Sequence, residues 1–158
     1  MIIISDTSVI TYLLQLDSIS ILQALFQKVV IPIAVKEELE KIPSQRSFLE
    51  RNNWIIPMSI QNLVLFNELS KELDRGEAEA IVLSLELKAD ILLIDEKKGR
   101  KIAKKHGIFI TGLLGVLIDA KNQGLLEKVK PLLDKLIYEH EFRLKPKLYR
   151  HVLKLVKE

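Results

Sequence analysis

Two short runs in this chain end on a carboxylate: Ile2-Ile3-Ile4-Ser5 leads into Asp6, and Ile91-Leu92-Leu93-Ile94 leads into Asp95-Glu96. Such a run is too short to bury a helix face. Its branched apolar residues, without polar alternation, read as a strand covered on both sides. Residues 29–31, 54–56 and 108–110 repeat the pattern, and segments of helical period separate them. That alternation is the mark of a parallel sheet flanked by helices. In open parallel sheets ligands bind beyond the carboxyl ends of strands, where strand order reverses. Asp6 and Asp95 are therefore candidates for one site.

The helical segments carry their own punctuation. Thr7 or Ser8 is suited to cap a helix over 9–16, Pro32 to open one over 33–41, and Asp74 to cap one over 75–88. A basic helix follows Glu96, and further helices are expected near 113–122, 126–138 and 146–157. Gly107 and Gly124 read as helix stops. With 158 residues and 48% hydrophobic content, one α/β domain spanning 1–158 is expected, the helices from about 126 forming an extension. Cysteine is absent, which excludes disulfides, thiolate zinc sites and cysteine nucleophiles, and three histidines make a histidine-rich metal site a poor expectation. The first residues lack a basic flank and meet Asp6 at once, so no signal peptide is expected, and no apolar run is long enough to span a bilayer. A cytoplasmic location is the resulting expectation.

On a helical wheel, Val35, Leu39 and Ile42 form the apolar stripe of the 33–41 helix. Glu38 borders it, whereas Glu37 and Glu40 point away and read as a solvated face. The 75–88 helix has two narrow polar stripes, one with Glu77, Ser84 and Lys88, the other with Glu79 and Glu86. Geometry on the wheel does not say which meets water. Asp74-x-x-Glu77 is also a capping-box spacing, so Glu77 reads equally as a functional acid or as a cap. Asp6 and Asp95, each following a strand, have the same helix-cap alternative.

Taken together, the motifs resemble a known family. The stretches Ile4-Ser5-Asp6-Thr7-Ser8, Ile31-Pro32-x-x-Val35-x-x-Glu38-Leu39, Leu73-Asp74-x-Gly76-Glu77-Ala78-Glu79-Ala80 and Leu93-Ile94-Asp95-Glu96-x-x-Gly99-Arg100 resemble the PIN-domain family in order and spacing. The prokaryotic branch allied to VapC-type toxin nucleases is the most similar. The stretch Gly107 to Leu117 and the tail Phe142-Arg143-Leu144 fit that branch too. The resemblance implies a five-stranded parallel sheet of order 3-2-1-4-5, which sets strands one and four side by side. It implies catalytic roles for Asp6, Glu38, Glu77 and Asp95, with Asp6, Glu77, Asp95 and Glu96 as metal ligands. The chain departs from the family where Leu113 replaces a frequent hydroxyl residue and where Glu77 stands for an aspartate common among the toxins.

Physical chemistry points the same way. Two carboxylates roughly 4 Å apart repel by about 4 kcal/mol at an effective dielectric near 20, so a cluster needs protons or cations. All-oxygen donors favour Mg²⁺ or Mn²⁺ over zinc, and such ions promote hydrolysis of phosphodiesters by water. The implied activity is metal-dependent endoribonuclease cleavage, and the implied setting a toxin with an antitoxin partner, the chain itself a homodimer.

Net charge is +3 and the isoelectric point about 9.0, with much of the positive charge between Lys97 and Lys105. That segment reads either as a phosphate-binding face for RNA or as a solvated outer face. Thr7, Ser8, Lys97, Arg100 and Lys101 are the expected substrate contacts. In the last helix Leu148, Val152 and Leu155 form an apolar row beside Arg150, Lys154 and Lys157, expected to cover the core. Trp54 and the tyrosines are assigned to packing. Two other classes compete. An Asp-based phosphotransfer domain also puts Asp after its first strand, but the phosphatase version needs a second acid where Ser8 stands. A catalytically inactive PIN-like nucleic-acid-binding or scaffold module is set against the presence of all four acids.

Overall fold

A computed structural model describes residues 1–158. Its five strands are β1 (Ile3–Ser5), β2 (Val29–Pro32), β3 (Ile55–Met58), β4 (Ile91–Leu93) and β5 (Ile110–Thr111). They form one parallel sheet of order β3-β2-β1-β4-β5, as the family resemblance implies. Ten helices flank it: α1 (Thr7–Gln15), α2 (Ser20–Phe26), α3 (Ile33–Glu40), α4 (Pro43–Arg51), α5 (Leu63–Leu69), α6 (Arg75–Leu87), α7 (Lys97–Lys105), α8 (Leu113–Asn122), α9 (Lys130–Glu139) and α10 (Pro146–Leu155). None is long and apolar enough to cross a membrane.

Strand periodicity divides the core into two layers. Ile3 and Leu93 face a cluster that also holds Val9, Leu13, Val35, Val116, Leu133 and Val152. Ile4, Leu92 and Ile94 face the opposite cluster, with Ala78, Ile81, Val82 and Ala103. Full burial of each such branched side chain is worth about 1.5–3 kcal/mol. The uninterrupted apolar character of β1 and β4 follows, since both of their faces are covered.

Several boundaries differ from the sequence reading. The α1 helix starts at Thr7 with Asp6 as its cap, because Asp6 Oδ1 accepts the Val9 N–H at 3.1 Å. Three helices were not anticipated: α2, whose N-cap residue Ile19 makes no side-chain cap; α4, whose only buried residue is Gln45; and the seven-residue α5. The α2 and α5 helices are seven residues long, too short for helical periodicity to register, and α4 is polar nearly all round. The α9 helix begins at Lys130 and not near Leu126, and its first N–H groups, on Val129 and Lys130, are satisfied by the Glu158 carboxylate. Gly107 adopts φ +75°, as a helix stop requires. Ile108 still bonds back to the Ala103 carbonyl, so β5 starts two residues later than expected.

Candidate active site

The β1 and β4 strands run side by side in the register Ser5↔Leu93, and the residue after β1 is Asp6. Asp6 is 3% exposed, so its charge must be satisfied locally. Its N–H donates to the Leu93 carbonyl, Oδ1 accepts from Val9, and Oδ2 accepts the N–H of Asp95 at 3.4 Å. One acid thus clasps the backbone of the other. Burial, opposed by the Val9 bond and reinforced by Asp95 and Glu77, pushes the Asp6 carboxyl up to about 8.

Asp95 does not cap the helix that follows it. Its Oδ1 accepts the N–H of Leu113 at 2.9 Å, at the start of α8, where Gly112 has no side chain to serve as a cap. Oδ2 is buried without a partner. Burial and Glu96 hold the Asp95 carboxyl above its ordinary value, against the Leu113 bond and the Arg100 charge. Arg100 is tied down by donating from Nη1 to the Ile94 carbonyl at 2.9 Å. Gly112 lets these groups converge: a Cβ there would lie 2.5 Å from Asp95 Oδ1 and 2.7 Å from Arg100 Nη1.

Glu77 is half-buried in the first turn of α6. Asp74 accepts its N–H at 2.9 Å, but no bond returns from the Glu77 carboxylate to the Asp74 N–H, so the capping box is half made. Burial first, then Asp74, Glu96 and Glu38, push the Glu77 carboxyl up to about 7. Glu38 is exposed, and its Oε2 accepts the Thr7 hydroxyl at 2.7 Å. A Cβ on Gly76 would approach that oxygen to 3.2 Å, so the residue before Glu77 leaves room for Glu38. The Glu79 stripe is the buried one, a choice the helical wheel left open. Glu79 is 5% exposed; it accepts the Ala34 N–H at 3.1 Å and pairs with Arg75 at 3.0 Å.

The fold therefore groups Asp6, Glu77, Asp95 and Glu96 electrostatically, with Glu38 joined through Thr7. Ser8 lies on the rim, lining clefts on both sides of Tyr12. Lys97 and Lys101 are exposed on α7 and line neither cleft beside Asp95. The carboxylates are spread around the mouth: no three acidic or histidine side chains meet closely enough, as they stand, to hold a metal ion. The donor set still suits a hard divalent cation. It is all oxygen, the carboxyl groups of Asp6, Glu77 and Asp95 are held above their ordinary pKa by burial and neighbouring carboxylates, and Asp95 Oδ2 is buried without any donor.

Sequence reasoning gave Glu79 and Arg143 no such places. Arg143 shares both clefts with Asp95, and the only signal for it was the Phe142-Arg143-Leu144 motif, which carried no role.

A family model described as PIN domain matches residues 2–158. No curated protein and no solved structure matches the chain. With that match covering nearly every residue, and with the sheet order found above, the chain belongs to the PIN-domain family, whose members are generally nucleases acting with divalent metals.

Proposed function

We propose that this protein is an endoribonuclease that hydrolyses RNA phosphodiesters at the carboxyl ends of β1 and β4, using Mg²⁺ or Mn²⁺ held by Asp6, Glu77, Asp95 and Glu96. The single observation that carries this reading is the Asp6–Asp95 pair, clasped through Asp6 Oδ2 and the Asp95 N–H with Asp95 Oδ2 left over. When bound, such a cation supplies the charge that promotes attack by water and stabilises the leaving oxygen.

The chain's own residues have separable duties. Asp6 and Asp95 resist ionisation because burial penalises their charged forms, so they favour a cation over solvent. Glu38, exposed and turned by the Thr7 hydroxyl, is assigned the proton of the attacking water. Thr7 acts through Glu38 as a positioning residue, and Ser8 on the rim is assigned a substrate phosphate. Arg100, anchored on the Ile94 carbonyl and facing the cleft beside Asp95, is assigned the neighbouring strand of the substrate together with Lys97 and Lys101.

The motif spanning Gly107–Leu117 and the Phe142–Leu144 tail favour the VapC-like branch. On that reading the protein is a cytoplasmic toxin, works as a homodimer and is restrained by an antitoxin. Incubation of purified protein with single-stranded RNA and Mn²⁺ should give cleavage that chelation stops. Wild-type activity in Asp6→Asn would remove the assignment.

A further inference from the structure

Residues 140–145, between α9 and α10, belong to no helix or strand, yet they are firmly held. Glu141 sits at φ +54°, a left-handed conformation that costs a non-glycine residue on the order of 1 kcal/mol. The Phe142 N–H donates to the Leu136 carbonyl at 3.0 Å. Its ring meets Tyr12 of α1 edge-on, with centroids 5.2 Å apart. The same left-handed conformation follows other helices of this chain, at Asp17, Gln27, Lys88 and Lys157, and it ends α9 by turning the chain back toward α1. Here it delivers Arg143 to the rim of two clefts that share Asp95.

Arg143 is exposed, forms none of the chain's ion pairs and donates none of its side-chain hydrogen bonds. That is unusual company for an unpaired cation, because Glu96 and Glu141 line the same cleft. Its planar fork of N–H donors matches a phosphate, and no existing partner has to be given up to bind one. Beyond Arg143 the cleft that also holds Arg100, about 340 Å³, is lined by Gly112, Gly115 and an apolar wall of Leu144 and Leu148. A polyanion approaching a cluster of carboxylates needs a positive anchor on the facing rim.

We propose that Arg143 is a phosphate clamp that holds the phosphodiester next to the scissile one in a single-stranded polynucleotide. The proposal rests on the nuclease reading above. The 140–145 turn sets the position of the guanidinium, Phe142 and Tyr12 lock the turn, and the apolar wall receives the adjoining nucleoside.

The test is binding of a fluorescent single-stranded oligoribonucleotide by anisotropy, without divalent metal, across a range of KCl concentrations. Wild type is compared with Arg143→Ala, Arg143→Lys and Arg51→Ala, the last on α4 outside both clefts. Loss of one charge-assisted contact should weaken binding about tenfold in Arg143→Ala. The slope of log affinity against log salt should fall by about 0.7, as for one phosphate on a single strand. Arg143→Lys should recover the slope but only part of the affinity, and Arg51→Ala should match wild type. With Mn²⁺ present, Arg143→Ala should raise KM more than it lowers kcat. Wild-type affinity and slope in Arg143→Ala would overturn the clamp and leave the nuclease reading standing, as would an equal loss in Arg51→Ala. A wild-type protein that neither binds nor cleaves RNA would overturn both.

Discussion

Glu79 Oε1 accepts the backbone N–H of Ala34 at 3.1 Å, across 45 residues of chain. Pro32, at the N-cap of α3, provides no side-chain cap, so a carboxylate from α6 performs that task from a distance. One helix therefore presents two acids with opposite duties: Glu79 fastens α3 to α6, and Glu77 faces Glu96 and Glu38.

Glu79→Gln should keep most of the Mn²⁺-dependent cleavage and lose about 1–3 kcal/mol of stability, because a buried charge-assisted acceptor and an ion pair with Arg75 are weakened. Glu77→Gln should do the reverse, abolishing cleavage with little change in stability. Cleavage assays and thermal unfolding on the two variants check this, and a folded but inactive Glu79→Gln protein would refute the division of labour.

Asp6→Asn and Asp95→Asn should both abolish cleavage. Each retains an oxygen for the backbone bond from Val9 or Leu113, and Asp6→Asn gives up only the longer bond, at 3.4 Å, from the Asp95 N–H, so both should fold. Removing an ionisable group from a repulsive cluster should leave the metal-free melting temperature unchanged or raised, most clearly for Asp6→Asn above about pH 8, where the Asp6 carboxyl is otherwise charged. A melt that drops steeply in either variant would show that the charge itself was structural.

The pH dependence has a definite sign. With Asp6 raised to about 8 and Glu77 to about 7, the folded, metal-free chain binds more protons than the unfolded one between about pH 4 and 8. The stability these two groups contribute is complete below about pH 4 and is lost as pH rises through about 7 to 8. Asp134 and Glu158, both lowered, act oppositely, losing their contribution only in more acidic solution. Metal-free melting temperature should therefore decline from about pH 5 to pH 8.5, and the decline should shrink in Asp6→Asn. A melting profile that is flat over this range would contradict the burial of Asp6.

Gly112→Ala should cut cleavage about tenfold to a hundredfold, since small displacements of reacting groups are that costly. The added Cβ collides with both Asp95 Oδ1 and Arg100 Nη1, while its stability cost should stay near that of ordinary overpacking, about 1–3 kcal/mol. Parallel kinetics and unfolding would expose a variant that is fully active.

Charge reversal at Lys101 and Lys104 asks what the exposed face of α7 does. If phosphate contacts there dominate RNA affinity, the double variant should bind weakly and with a shallower salt slope. Unchanged binding would return those lysines to the role of a solvated face.

Much of this arrangement was legible in the sequence. The β1 and β4 runs announced themselves because both faces of each strand are apolar, and Asp6 and Asp95 were marked by ending them. Short helices were less readable: α4 buries only Gln45, so its pattern is polar nearly all round. The choice between the Glu77 and Glu79 stripes depends on α3 lying against α6, a tertiary fact outside any helical wheel. Nor does a glutamate at position 141 advertise a left-handed turn, which glycine or asparagine would have signalled.

Leu113 gives the departure from the family pattern a different meaning. Its side chain is fully buried in the core, and its tie to Asp95 runs through the main-chain N–H, a group every residue except proline carries. The identity at 113 is thus free to answer to packing while the hold on Asp95 persists. Absence of a hydroxyl there is then no sign of a dead enzyme, and tallies of invariant side chains undervalue a site that is partly wired through its backbone.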